Sequence, residues 1–160
     1  MKIRSRVQLR KSTKNKLLNN LVSTFGDEIK KLSDSKFECV KTDEYSIIMV
    51  DDRPLLFFTD DDIFPTVSGA LEIDLNSKNV FVDSGAVKFV SNGADIMSPG
   101  IVKSDPNIKE GDLVIIKEEN HGKPLAIGRA LVDGSNMVGN SGKAVKSIHY
   151  VGDELWNISI

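Results

Sequence analysis

The chain has 160 residues, of which 40% are hydrophobic and 28% charged, and a formal net charge of −2. Those proportions exclude a disordered chain, and no apolar run approaches the ~20 residues of a membrane-crossing helix. Cys39 is the single cysteine, which rules out an intramolecular disulfide and a thiolate metal cluster, so a reducing cytoplasm is expected.

The start is basic but lacks the apolar stretch of a secretory signal. Lys2, Arg4, Arg6, Arg10, Lys11, Lys14 and Lys16 put seven cations in the first sixteen residues, with no acid among them. Two readings stand side by side: a solvated basic tail and helix face, or an electrostatic contact with phosphate made by Arg4, Arg6, Arg10 and Lys11. Residues 12–25 then set Leu17, Leu18, Leu21, Val22 and Phe25 at helical spacing behind Ser12 or Thr13 as cap, and Gly26 ends the helix. Asp27-Glu28 open a second short helical piece carrying Ile29 and Leu32. Lys36–Lys41, Tyr45–Val50 and Arg53–Phe58 read as three strands, with Asp51-Asp52 as a tight turn and Pro54 at a strand edge or beginning. Asp60-Asp61-Asp62 read as a solvated turn, and Phe64-Pro65-Thr66 introduces a short helical segment. Asn76-Ser77-Lys78-Asn79 is the expected linker, which divides the chain into domains at 1–75 and 78–158.

Beyond the linker, Val80-Phe81-Val82 forms a strand that breaks at Asp83-Ser84, two good helix caps. A short helix follows with Val87 and Val90 on its buried side, and Gly93 supplies a left-handed stop. Ala94-Asp95-Ile96-Met97 then runs into a Ser98-Pro99-Gly100 corner and a new strand. Leu113–Lys117 and Leu125–Val132 are strands about the Glu119–Lys123 turn, 133–142 is a loop, and Ala144–Val151 with Leu155–Ser159 form a last hairpin turning at Gly152-Asp153. The order Val82-Asp83-x-Gly85-Ala86-Val87…Gly93-Ala94-Asp95-Ile96-Met97-x-Pro99-Gly100-Ile101 resembles the signature of the PUA domain, an RNA-binding module. The resemblance covers residues 78–158 and implies a mixed, partly closed β-barrel with one inserted short helix. The first half, with its basic start, amphipathic helix, three strands and Phe-Pro-Thr joint, is similar to the pre-PUA part of archaeal pre-PUA/PUA proteins, relatives of the malignant-T-cell-amplified translation factor. The expected class is therefore α+β, a small N-terminal α/β domain followed by a PUA domain.

No enzyme is legible. His121 lies in a turn and His149 in a strand, and no spacing joins either to Cys39 or to a serine. The Gly134–Lys143 loop fails as a phosphate loop, because Met137 stands where the first Gly belongs and Ala144 replaces Ser/Thr. No cofactor and no metal is expected. The PUA resemblance instead implies an RNA face made of Ser84, Gly85, Ala86 and Lys88, then Gly93, Ala94, Asp95 and Met97, then Pro99 and Gly100, flanked by Lys143 and Lys146 as phosphate contacts.

The leading expectation is a non-enzymatic RNA-binding protein acting in translation, with tRNA or small-subunit ribosomal RNA as its target. The alternative is a protein-interaction module whose N-terminal domain docks a partner while the PUA domain acts as scaffold, which the near-neutral charge favours slightly. A reduced RNA-modifying enzyme is a third reading, and the missing catalytic constellation argues against it.

Overall fold

The computed structural model describes residues 1–60 and 62–158. The chain divides into two compact units, Met1–Leu75 and Asn76–Asn157.

The first unit is a five-stranded antiparallel sheet in the order β1-β2-β3-β4-β5, with β1 at Ile3–Gln8, β2 at Phe37–Thr42, β3 at Ser46–Val50, β4 at Arg53–Thr59 and β5 at Asp62–Pro65. The central strands β3 and β4 carry consecutive buried residues, Ile47–Val50 and Leu55–Phe57, because both of their faces are covered. Asp51 and Asp52 adopt φ of 47° and 68° between paired Val50 and Arg53, the left-handed pair that a two-residue hairpin turn requires. Helix α1 (Lys11–Phe25) buries Leu18, Leu21 and Phe25, and Phe25 meets Phe64 of β5 at 5.4 Å between ring centroids. It begins after Arg10 with no side-chain cap, two or three residues earlier than the Ser12 or Thr13 cap expected. A 3₁₀ turn at Asp27–Leu32 buries Ile29 and Leu32.

Helix α2 (Val67–Glu72) is short, as Ser68-Gly69-Ala70 suggests, but Gly69 has a packing reason. A Cβ there would lie 2.0 Å from the Leu55 carbonyl oxygen. Thr66 caps α2, its Oγ1 accepting from Gly69 N–H at 3.0 Å and donating to the Pro54 carbonyl at 2.6 Å. The Phe64-Pro65 pair itself is strand rather than helix. Of the acidic cluster, Asp60 has φ of 54°, Asp62 opens β5, and Asp61 lies outside the described residues.

The second unit is a six-stranded mixed sheet in the order β7-β11-β10-β9-β6-β8. Its strands are β6 (Asn79–Val82), β7 (Ile96–Met97), β8 (Ile101–Ser104), β9 (Leu113–Glu118), β10 (Pro124–Ala130) and β11 (Lys143–Tyr150). Only β6 and β9 run parallel. The two edge strands, β7 and β8, are joined directly by the Ser98–Gly100 3₁₀ turn, which draws the sheet edges together into a nearly closed barrel. Val80, Val82, Ile96, Ile101, Val114, Ile116, Ala126 and Val145 fill its interior. Helix α3 (Ser84–Val90) is the inserted helix. Among the described residues the last hairpin does not form. Asp153 instead accepts the N–H groups of Tyr150 and Trp156 at 3.0 and 2.9 Å, winding the chain into turns where a return strand was expected; Ser159 lies outside the described residues.

Candidate nucleic-acid interface

Helix α3 is fixed at both ends by its own sequence. Asp83 Oδ1 accepts the Ala86 N–H at 2.9 Å, so the cap carboxylate occupies a donor at the helix start. Asp83 N–H donates to the Gly100 carbonyl at 2.9 Å, and a Cβ on Gly100 would come within 3.1 Å of the Ala86 Cβ. The Pro99-Gly100 corner therefore lies close against the helix. At the other end Gly93 takes φ of 89°, and a Cβ there would meet the Tyr150 ring at 2.7 Å. Val90 is buried and Val87 half-buried, which leaves Ser84, Gly85, Lys88 and Phe89 outside.

Between α3, the loop after it and the Pro-Gly corner runs a groove of about 400 Å³ lined by Gly85, Ala86, Phe89, Ala94, Asp95, Met97, Pro99 and Gly100, with Asp83, Val90 and Ile96 beneath. Phe89 is 65% exposed and Met97 47%, an unusual display for large apolar side chains. Asp95 ties the loop to β11: Oδ1 accepts the Ser147 N–H and Oδ2 pairs with Lys143 Nζ, both at 2.9 Å. Lys143, with the Ser147 N–H adding to it, holds this carboxyl below the usual carboxylate range. Lys143 lies opposite Met97 in the ladder, at the groove margin. Lys146 is exposed on the same strand, opposite Arg129, and does not line the groove.

Of the residues singled out in the sequence, Gly85, Ala86, Ala94, Asp95, Met97, Pro99 and Gly100 line this groove, whereas Ser84, Lys88, Gly93, Lys143 and Lys146 do not. Phe89 was missed. The available signal was an aromatic residue lying off the Val87–Val90 buried stripe of the same helix.

The N-terminal cations are not a tail. Arg4 and Arg6 lie on edge strand β1, Lys2 just precedes it, Arg10 is the residue before α1, and Lys11, Lys14 and Lys16 stand in its first turns. Arg6 makes hydrogen bonds of 2.8 Å to both carboxylate oxygens of Glu38 and one of 2.6 Å to Asp52, and it is raised above the ordinary guanidinium range by those partners. The Arg6 guanidinium in turn holds Glu38 at about 2. Arg4, Arg10 and Lys11 are exposed.

His149 is fully buried, with Nδ1 at 2.9 Å from Asp153 Oδ2, while His121 is exposed in its turn 3.5 Å from Glu118. Burial pushes the Cys39 thiol up, the opposite of an activated nucleophile. Among the described residues no group of three or more His, Cys, Asp or Glu is placed to hold a metal ion, and no helix is long and apolar enough to cross a membrane.

Comparison with known proteins agrees with this geometry. The PUA domain model matches residues 78–151, and a domain of unknown function (DUF1947) matches residues 5–71. An uncharacterized protein of Methanocaldococcus jannaschii is 44% identical over 98% of each chain. Translation machinery-associated protein 20 of Eremothecium gossypii is 30% identical over 99% of this chain and 94% of that one. A hypothetical protein of Pyrococcus horikoshii has a crystal structure that superimposes with a TM-score of 0.86, at 37% identity, covering 95% of this chain and 98% of that one. With the two family models matched in succession and the similarity running over nearly the whole of both chains, the chain belongs to the family of pre-PUA/PUA proteins that includes translation machinery-associated protein 20 and the malignant T-cell-amplified sequence proteins.

Proposed function

We propose that this chain is a non-enzymatic RNA-binding protein of the cytoplasmic translation machinery, holding tRNA or small-subunit ribosomal RNA against α3. The observation that carries this reading is the groove, where an exposed aromatic, Phe89, stands beside main chain at Gly85 and Gly100 with Lys88 and Lys143 close by. An exposed ring gives an unpaired base a face to stack on, glycine lets backbone approach without a Cβ, and the lysines supply phosphate attraction. The family's translation-associated members favour the same setting.

The test is an NMR titration with tRNA and with a ribosomal RNA fragment, followed by Lys88→Glu with Lys146→Glu. Both lysines are exposed, whereas Lys143 is spent partly on Asp95 and is a poorer probe. Shifts are expected at 84–100 and 143–146, with affinity falling by at least ~1 kcal/mol as attraction to phosphate becomes repulsion. Shifts confined to residues 1–75, or intact affinity in the folded double variant, overturn the reading.

A second reading has one observation in its favour. Strand β1 is an open edge whose six residues are all exposed, with Ile3 38% and Val7 60% accessible, and such an edge suits a protein partner that adds a strand.

A further inference from the structure

A second concave site lies in the first unit, away from the groove on α3. A crevice of about 260 Å³ opens where the end of β1, the first turns of α1 and the chain entering β2 meet. Lys11, Lys14 and Lys36 line it together with Asn15, Ser33 and Ser35, and no Asp or Glu does.

The charges next to it do not cancel. Lys36 Nζ stands 3.3 Å from Glu38 and 3.5 Å from Asp52, the same carboxylates that Arg6 holds, so two cations and two anions balance there. Among the described residues Lys14 makes no ion pair. Its Nζ donates to the Ser35 carbonyl and lies 5.1 Å from the centre of the Phe37 ring, which fixes the ammonium at the crevice wall. Lys11 and Asn15 are exposed at the rim, and Arg10 continues the cationic run just before the helix. The Ser35 hydroxyl is given to Asp51, which also accepts the Lys36 N–H, and the Ser33 hydroxyl to the Lys30 carbonyl, so the donors left to a ligand are the Lys11 and Lys14 ammonium groups and the Asn15 amide, a set that suits an oxyanion.

We infer that this crevice seats a backbone phosphate of RNA, through Lys11, Lys14 and Asn15. The site is separate from the α3 groove and reads no base, and the inference rests on the proposal that the chain binds RNA. Access along an exposed rim with cations continuing beside it suits a phosphodiester in a chain better than an enclosed small ion.

The test substitutes Lys11→Glu with Asn15→Asp in the full chain. An acid in the first turn of α1 favours the helix, so this variant is expected to melt no earlier than the wild type. The matched control, Lys16→Glu with Asn20→Asp, makes the same charge change on the same helix outside the crevice. Binding of a labelled tRNA transcript and of an unrelated RNA hairpin is measured across salt concentrations. The crevice variant should weaken both RNAs equally, by about fivefold or more, and flatten the salt slope by roughly one per lost contact, while the control changes little. Equal losses in variant and control, or no loss in either, overturn the inference. Loss in Lys88→Glu/Lys146→Glu alone leaves the α3 reading standing and removes this one, and a wild type that binds neither RNA removes both. Inorganic phosphate is the final arm: chemical-shift changes at Lys11–Asn15 with phosphate but none with RNA assign the crevice to a small anion and refute the RNA seat.

Discussion

Phe89→Ala separates a binding surface from a packing surface, because the two make opposite demands on an exposed ring. Phe89 is 65% exposed, so about a third of its side chain is covered by the protein. An aromatic side chain buries ~150–250 Å² when enclosed, so ~70 Å² is at stake, which at ~25 cal/mol per Å² bounds the loss of stability at just under ~2 kcal/mol. Removing a base-stacking ring costs ~1–3 kcal/mol of RNA affinity, about 5–150-fold. Those ranges overlap, so a second substitution decides between them. Phe89→Leu restores most of the apolar cover but has no π face. Thermal unfolding should return close to the wild-type midpoint in Phe89→Leu, while fluorescence anisotropy with labelled tRNA should show binding still weakened. Phe89→Leu that binds as tightly as the wild type refutes stacking and reduces Phe89 to an apolar contact. Phe89→Ala that binds as tightly removes α3 from the interface altogether.

Gly93→Ala should destabilise the second unit by ~1–3 kcal/mol, read from denaturant midpoints, because an alanine must hold φ near 89° and its Cβ collides with Tyr150; a midpoint within error of the wild type contradicts this. Thr66→Val keeps the shape but loses the cap to Gly69 and leaves the Pro54 carbonyl without its donor, so a loss of ~2 kcal/mol is expected in the same assay. Asp153 pays for burial in its charged form, but His149 and the N–H groups of Trp156 and Tyr150 outweigh that and hold its carboxyl below the ordinary range. A depressed folded value contributes stability that is complete above the unfolded value of about 3.9 and is lost as pH falls through the folded one. The Asp153 carboxyl ¹³C shift should therefore titrate below that value, and a midpoint at or above it refutes the assignment.

The elements legible in the sequence are those with a buried face. Helix α1, the paired strands β2 to β4 and the strands of the barrel all carry periodic apolar residues, and the Asp51-Asp52, Glu119–Lys123 and Gly93 positions announce their turns chemically. Strand β1 was invisible for the same reason inverted. None of its six residues is buried, so no alternation marks it, and backbone pairing with β2 together with the Arg6–Glu38 contacts holds it in place. Gly152-Asp153 shows the limit of turn chemistry. The pair does turn the chain, but whether a strand returns depends on where the Asp153 carboxylate finds donors, and it finds them in Tyr150, Trp156 and buried His149.

The site divides in the same way. Its backbone features were readable because glycine and proline are few and positional: Gly93 turns the chain at a positive φ, and Gly100 permits the approach to Ala86. Its side-chain electrostatics were not readable, because a lysine in a sequence carries no record of its partner. Lys143 reads as a free phosphate contact, yet Asp95, 48 positions earlier, shares its charge once β11 and the loop after α3 are brought together. Arg6 reads the same way and is held by Glu38 and Asp52. The crevice is lined by Lys11 and Lys14 and by no Asp or Glu, while Glu38 and Asp52 are held by Arg6 and Lys36. Which cations remain available to a polyanion is decided by tertiary pairing, and that shifts the weight of the basic N-terminal stretch from Arg6 to the crevice beside α1.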